Sequence, residues 1–346
     1  GTPLPIWKTE DGEEEICIGS VEELNNEIKK AAEVLGGETN KHYLHEGILD
    51  LHKPYVDEIT LVSDSGKPMK RVADLIDVWF DSGAMPYAQW HFPFENVETF
   101  AKSYPADFIA EGVDQTRGWF YTLHALGSLL KESVEEKLKE KGLYPPPTGE
   151  LKGLAYKTVV SNGLVLDKAG NKMSKRLGNV IDPFETINNF GADATRWYLI
   201  TNASPWDSLK FDVEGIKEVQ RKFFGTLYNS YQFFALYANV DGFAFKEKYI
   251  PVKERPEIDQ WILSSLNSLI KNVQENFDAY EPTQAGRAIE DFVDAHLSNW
   301  YVRLCRSRFW KGEYEHDKIC AYQTLYECLE TLCKLMAPVA PFFADW

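Results

Sequence analysis

Lys172-Met173-Ser174-Lys175-Arg176 is the segment of this chain best suited to chemistry. It lies between Gly170 and Gly178. From Lys152 to Arg176, six basic residues (Lys152, Lys157, Lys168, Lys172, Lys175, Arg176) face one acid, Asp167, a local balance of +5 in a chain of net charge −16. A concentrated positive loop on a negative protein implies an anionic ligand, most simply a polyphosphate. A solvated basic turn is the plain alternative. Met173 argues against it. An apolar residue inside a charged, glycine-flanked loop suits a loop that docks and undocks, the Met anchoring one state while the lysines reach a transient charge.

Two further clusters could carry chemistry. Glu111-Gly112-Val113-Asp114-Gln115 offers two carboxylates and an amide around a glycine. Carboxylates there suit ribose hydroxyls or an ammonium group, and the glycine lets a ligand approach the backbone. A helix N-terminus whose acids merely face the dipole would read the same way. Asp77-Val78-Trp79-Phe80-Asp81-Ser82-Gly83 puts Trp79 at the mouth of an apolar run, and Arg117-Gly118-Trp119-Phe120 brings a second indole near it. The pair could wall a small apolar pocket or simply be core tryptophans.

The elements that must position these groups are legible in part. Residues 107–110 read as a short strand running into a helix over 116–131, the βα unit of a parallel sheet, with ligands at the carboxyl ends of its strands. Residues 75–80 read as a buried strand, 154–160 as another, and 164–166 enter the basic loop. Asp182 caps a helix with Pro183 at its first position. Nearer the start, Ser20 with Glu23 forms a capping box for a helix over 21–35, and 55–62 alternates like a strand. After about residue 205 helical periodicity dominates, with Phe223, Phe224, Leu227, Tyr231, Phe234, Trp261, Leu266 and Leu269 on the inner face. A linker at 241–256 and amphipathic segments at 257–279, 282–309 and 317–336 read as an all-α bundle.

Bulk properties bound the reading. The 346 residues, 44% hydrophobic and 26% charged, suffice for two domains with a sizeable core. No apolar run approaches the ~20 residues of a membrane span. No basic-then-apolar leader opens the chain. Cys17, Cys305, Cys320, Cys328 and Cys333 form no C-x-x-C, so neither a zinc knuckle nor a redox pair is indicated, and reduced thiols in the cytosol are expected. The net charge argues against a generic nucleic-acid binder but not against an enzyme that grips RNA with one local face. Residues 1–38 alone hold ten acids against three lysines. The apolar start, Gly1 to Trp7, would want a partner strand, and the end carries Phe342, Phe343 and Trp346; both ends read as cut from a longer protein.

KMSKR (172–176) is similar to the KMSKS loop of class I aminoacyl-tRNA synthetases, with Arg176 where that family usually has Ser. DVWFDSG (77–83), EGVDQTRGWF (111–120), NKMSKRLGNVIDP (171–183) and FGADATRW (190–197) resemble, in order, blocks from the C-terminal half of an isoleucyl-tRNA synthetase. GTPLPIW at the start resembles the point of re-entry into the catalytic domain after an inserted editing domain, and HKPYVDEITL (52–61) the segment that follows. KMSKR specifies class I only. DVWFDSG with EGVDQTRGW favours isoleucine over valine, leucine or methionine.

The resemblance implies an α/β plus all-α fold. Residues 1–205 would be the C-terminal part of a Rossmann-like parallel-sheet nucleotide-binding domain, and 206–346 a helical anticodon-binding domain. It implies ATP and Mg²⁺, with no zinc site, and isoleucine and tRNA(Ile) as partners in the cytoplasm, away from membranes. Carried over by position, Glu111 would contact the isoleucyl-adenylate, Gly112 and Asp114 the ribose, and Gln115 the adenylate or the amino acid. Trp79 and Trp119 would enclose the isoleucine side chain. Lys172 and Lys175 would hold the ATP phosphates, Lys175 most directly, with Met173 and Ser174 completing the ATP-binding loop. No general base is implied, since activation rests on positioning and charge neutralisation.

One departure stands out. The family's other signature, H-x-G-H, is formed by none of His42, His45, His52, His91, His124, His296 and His316, so this chain alone is expected not to activate amino acid. In the helical half, Asn299 to Trp310 interleaves Arg303, Arg306 and Arg308 with aromatics. Those arginines could contact RNA, or be solvated or paired with acids on a helix whose aromatic face is core. Two rivals stay open: another class I synthetase, with valine nearest, and a non-catalytic RNA-binding or interaction module on a synthetase-derived fold.

Overall fold

The computed structural model describes residues 1–40, 44–45 and 47–346; His42 and the side chain of His45 lie outside that description. The chain divides into two compact units, one of residues 1–109 and 114–159, the other of 110–113 and 160–346.

The first unit opens on a four-stranded antiparallel sheet. Ile6–Thr9 is central, pairing with Glu15–Cys17 on one side and Pro68–Arg71 on the other, which in turn pairs with Thr60–Val62. The apolar start therefore finds its partner strands. Trp7 is buried and its indole N–H donates to Ile59 O at 2.9 Å, so the ring contributes apolar area without stranding its polar atom. Helix Val21–Leu35 packs on Thr60–Val62. Ser20 Oγ accepts from Glu23 N at 3.0 Å, but the return bond goes from Gly19 N to Glu23 Oε2 at 2.7 Å, one residue earlier than a simple capping box. Of the strand expected over 55–62, only Thr60–Val62 forms; Tyr55–Glu58 is a 3₁₀ turn.

Residues 75–80 also depart from expectation. Only Leu75 makes a strand-like bridge, to Pro3, and Val78–Gly83 is a short helix. Its start is set by Asp77, whose carboxylate accepts from Trp79 N at 2.8 Å. Val78, Trp79 and Phe80 are exposed rather than buried. A second core in this unit is built on Tyr87, Phe100, Tyr104, Leu123, Leu126 and Leu138, with the Tyr87 and Tyr104 hydroxyls 2.9 Å apart. Strand Ala106–Gly112, whose residues from 110 on count with the second unit, pairs with Tyr156–Asn162 in a two-stranded sheet. The helix expected over 116–131 forms as a 3₁₀ turn, Val113–Arg117, and a helix, Trp119–Leu129.

In the second unit Val165–Leu166 pairs in parallel with Leu209–Lys210. Pro183–Phe190 starts as expected, Asp182 Oδ1 accepting from Phe184 N at 2.7 Å and Glu185 N at 3.2 Å. The remainder is a helical bundle built on Ala192–Asn202, 213–241, Glu257–Asp278, 282–310 and His316–Met336, with π-helical stretches at Gln220–Phe224 and Phe292–Val302. One core runs through it. Trp197 is fully buried and stacks on Phe223 at 4.3 Å. Tyr231 and Trp261, expected on the inner face, are exposed. Buried ionic groups tie the helices: Arg255 reaches Glu327 at 2.7 Å, and Asp241 accepts from Tyr322 at 2.6 Å and Lys318 at 3.0 Å. Mixed α/β followed by helices is the fold class expected.

Candidate active site

The two indoles meet on one scaffold. Helices Val78–Gly83 and Trp119–Leu129 pack side by side, and a glycine makes this possible. A Cβ on Gly83 would lie 2.9 Å from the Thr122 carbonyl carbon and 3.0 Å from Leu126 Cδ1, closer than side chains tolerate. Trp119 Nε1 donates to Ser82 O at 3.0 Å, so the second indole is pinned to the end of the helix that carries the first. Gly118 holds the other side. A Cβ there would sit 2.9 Å from both Trp79 Cη2 and Gln115 Oε1. Gln115 Oε1 in turn accepts from Trp119 N at 3.1 Å, and its Nε2 donates to Asp114 Oδ2 at 3.2 Å. Trp79, Trp119, Gln115 and Asp114 are thus joined through Ser82 and Gly118. Trp79 is 41% exposed and Trp119 half-buried. Two indoles on a scaffold whose bonds are already made leave apolar faces available for a small aliphatic group, with an amide and a carboxylate beside them.

Glu111 and Gly112 end the strand Ala106–Gly112, and the Glu111 side chain is exposed. They fall, with the basic loop, in the second compact unit, whereas the indoles, Asp114 and Gln115 fall in the first.

The basic loop has a definite shape. Leu166 and Lys172 form an antiparallel bridge across a tight turn, closed by Asp167 N to Asn171 O at 2.9 Å and Gly170 N to Asp167 O at 2.9 Å. Ser174 then caps the short 3₁₀ turn Lys175–Leu177, its hydroxyl accepting from Leu177 N at 3.3 Å. Gly178 ends that turn at φ +66°, a left-handed conformation that glycine takes without strain. Met173 is half-buried and packs against the helical core together with Ile181. The cations divide. Lys157 is paired with Asp107 and Lys168 with Asp212, each at 2.9 Å. Among the described residues, no ion pair or hydrogen bond engages the side chains of Lys172, Lys175 or Arg176, and all three are exposed. Unpaired cations on a loop anchored by an apolar residue are what a transient polyanion requires.

Two residues of this loop gave no warning of their importance. In the sequence Asp167 stands as the lone acid among bases, and Asn179 as part of a motif. In the structure the Asn179 amide and the Asp167 carboxylate bond to each other and to the loop backbone, and those bonds hold the Asp167 carboxyl below its ordinary range. Asp-x-x-Gly-Asn at 167–171 is the only local signal that could have pointed to it, as a turn in which an acid side chain accepts backbone N–H groups.

The three arginines of 303–308 do not share a role. Arg303 and Arg306 are exposed. Arg308 is committed inside the bundle, its Nη1 and Nη2 donating to the two oxygens of fully buried Asp259 at 2.7 and 2.9 Å, and its Nε to Asp317 at 3.0 Å. For Arg308 the structure thus shows the acid-paired alternative rather than a cation free for RNA. The reason is the buried carboxylate, which demands a partner.

With this geometry established, comparison with known proteins adds a second line. Residues 1–212 match the family model described as tRNA synthetases class I (I, L, M and V), and 259–346 that of the anticodon-binding domain of tRNA ligase. Over its whole length the chain is 64% identical to the isoleucine–tRNA ligase of Cytophaga hutchinsonii, of which it covers 29%. It is 61% identical to that of Bacteroides fragilis and 46% to that of Clostridium tetani, covering 30% of each. The chain thus spans about a third or less of the length of these curated relatives. Among solved structures, the LeuRS–tRNA–LeuAMS ternary complex of Agrobacterium radiobacter K84 matches with a TM-score of 0.68 at 17% identity, over 99% of this chain and 38% of that one. Mycobacterium tuberculosis methionyl-tRNA synthetase with methionyl-adenylate matches with a TM-score of 0.57 at 24% identity, over 78% and 48%.

Proposed function

This chain belongs to the class I tRNA synthetases, and from that premise we propose that it is the part of an isoleucine–tRNA ligase carrying the phosphate-gripping loop, the indole pocket and the anticodon-binding helices. In the reaction, the isoleucine carboxylate attacks the α-phosphate of ATP, the bond to the leaving pyrophosphate breaks, and isoleucyl-adenylate forms. A ribose hydroxyl of tRNA(Ile) then takes the acyl group and AMP leaves. The observation that carries this reading is the loop: Lys172, Lys175 and Arg176 point free charge outward from a segment seated on the core by Met173. Negative charge builds on pyrophosphate as it departs, and we assign its neutralisation to Lys172 and above all Lys175, with Ser174 shaping the turn.

Asp114 and Gly112 are assigned to the ribose, and Glu111 and Gln115 to the adenylate and the amino acid. Trp79 and Trp119 are assigned to the isoleucine side chain, which buries against apolar ring faces and finds no polar partner there. Among the described residues no three His, Cys, Asp or Glu are placed to hold a metal ion. Mg²⁺ would come with ATP and would add charge neutralisation at the phosphates. For RNA we retain Arg303 and Arg306. The catalytic part is taken as 1–205, the anticodon part as 206–346, and the setting as cytoplasmic.

Amino-acid-dependent ATP–pyrophosphate exchange by the full-length parent protein tests the proposal, with isoleucine, valine, leucine and methionine compared. Exchange led by isoleucine supports it. Exchange led by valine or another keeps the mechanism and overturns the specificity, and none with any of the four favours a binding module. The 346-residue chain alone is expected to show no exchange, because it holds no H-x-G-H.

A further inference from the structure

The proposed function uses the lysines of the loop, and the backbone that carries them is bonded to two side chains to which that function gives no role. Asp167 Oδ1 accepts from Asn171 N at 2.7 Å and Oδ2 from Asn179 Nδ2 at 2.9 Å. Asn179 Oδ1 accepts from Ser174 N at 2.9 Å, and its Nδ2 also approaches Lys172 O at 3.4 Å. The Asn179 amide has one workable orientation. Turned over, it would set its NH₂ against the Ser174 N–H and its oxygen against a carboxylate. One amide and one carboxylate therefore bind the backbone on both sides of Met173, between the lysines, and tie it to the turn that follows Leu166. Lys168, next to Asp167, is paired with Asp212, which leaves the Asp167 carboxylate to the backbone, the Asn179 amide and, at 3.4 Å, the Asn171 amide.

We propose that Asp167 and Asn179 form a clamp that positions Lys172 and Lys175 for the triphosphate; the proposal rests on the ATP reading above and names two positioning residues for it. The clamp holds the backbone of Lys172 and Ser174 while the lysine side chains stay free. Opening it would release the loop between Gly170 and Gly178 without removing any cation.

Three variants of the full-length protein test it: Asp167→Asn, Asn179→Asp and the double exchange. Asn179→Asp sets two carboxylates face to face. Asp167→Asn leaves either the Asn171 N–H or the Asn179 amide facing an N–H₂. The double exchange restores the clamp with its polarity reversed: the new amide at 167 donates to the new carboxylate at 179, which still accepts from Ser174 N, and Asn171 N keeps its acceptor. Two long approaches are lost, from Asn179 Nδ2 to Lys172 O and from Asn171 Nδ2 to Asp167 Oδ2, each at 3.4 Å. Each single variant should lower kcat/KM for ATP by about 10-fold or more, the worth of one to two lost hydrogen bonds, with the KM for isoleucine unchanged. Trypsin cleavage after Lys172, Lys175 and Arg176 should speed up in the same variants. The double exchange should return both readouts toward native. Singles that match native in both readouts, or a double no better than its worse single, would overturn the clamp. Should the protein exchange pyrophosphate with no amino acid, cleavage decides alone: a rise with rescue supports the clamp while the functional reading fails, and no rise overturns the clamp as well.

Discussion

Replacing Arg308 by alanine separates a structural arginine from arginines facing solvent, and its size can be worked from the contacts. Asp259 is fully buried and accepts three hydrogen bonds, from Tyr301 at 2.7 Å and from Arg308 at 2.7 and 2.9 Å. Arg308→Ala removes two of the three and leaves a carboxylate inside the bundle with one neutral donor. Breaking a buried pair by removing one partner costs about 3–5 kcal/mol. The arm toward Asp317 adds little, because that carboxylate is 60% exposed. With Tyr301 still in place, the lower end, about 3 kcal/mol, is expected. Arg303→Ala and Arg306→Ala should stay within about 0.5 kcal/mol. Urea unfolding followed by tryptophan fluorescence reads this directly. With a slope of about 3 kcal/mol per M, Arg308→Ala shifts the midpoint of the bundle's transition down by about 1 M. Asp259→Leu combined with Arg308→Met should recover most of the loss, since an apolar pair strands no charge. A shift for Arg308→Ala no larger than for Arg303→Ala would refute the reasoning.

Other outcomes follow from the same contacts. Gly83→Ala puts a methyl 2.9 Å from Thr122, so the two helices must separate by roughly 0.5 Å or more. The expected result in exchange assays of the full-length protein is a loss of about 10- to 100-fold in kcat/KM for isoleucine, and an unchanged value would contradict the pocket assignment. Glu290 is half-buried, and the loss of water around it raises its carboxyl above the ordinary 4.5, while the Trp197 indole donating at 2.7 Å pulls the other way. The folded state then holds a proton that the unfolded chain has released, so this group costs stability as pH rises from about 4.5 through its raised value. Glu290→Gln keeps the indole bond and should flatten that dependence and stabilise at neutral pH, as thermal midpoints across pH 4–8 would report. Cys17 is exposed, Cys333 half-buried and Cys305, Cys320 and Cys328 buried, with burial raising the last four thiols. An aromatic disulfide reagent should modify Cys17 first and the buried three only on unfolding; early reaction of Cys328 would count against the bundle.

What could be read in advance was mostly local. The caps at Ser20 and Asp182 and the basic loop depend on neighbours a few residues away, and the side chains announce them; Met173 is conspicuous as the apolar residue among the charges, though the core it packs on is distant in sequence. The helix at Val78–Gly83 was read as a buried strand because Val-Trp-Phe is too short a run for its period to distinguish the two. Its burial was misjudged for a related reason: the indole and Phe80 are kept at the surface by a helix pairing at Gly83 that no local pattern encodes. Tyr231 and Trp261 sit at positions that fit a core stripe, yet the bundle turns them outward. The hardest features were long-range and polar. Nothing near Arg308 distinguishes it from Arg303 and Arg306. Its partner Asp259 lies 49 residues away, on a different helix of the bundle. The clamp at Asp167 and Asn179 was hidden differently: both residues were in view, but a carboxylate among bases reads as charge balance until its hydrogen bonds are drawn.

The measurement that tests the account most directly is ATP–pyrophosphate exchange with isoleucine in the full-length protein carrying Lys175→Ala. If Lys175 meets the charge that develops on the departing pyrophosphate, kcat/KM for ATP falls by about 10²-fold or more while the fold and the KM for isoleucine stay as they were. Exchange at the native rate in that variant would contradict the central claim, because the loop's free cations would then be ordinary solvated charge.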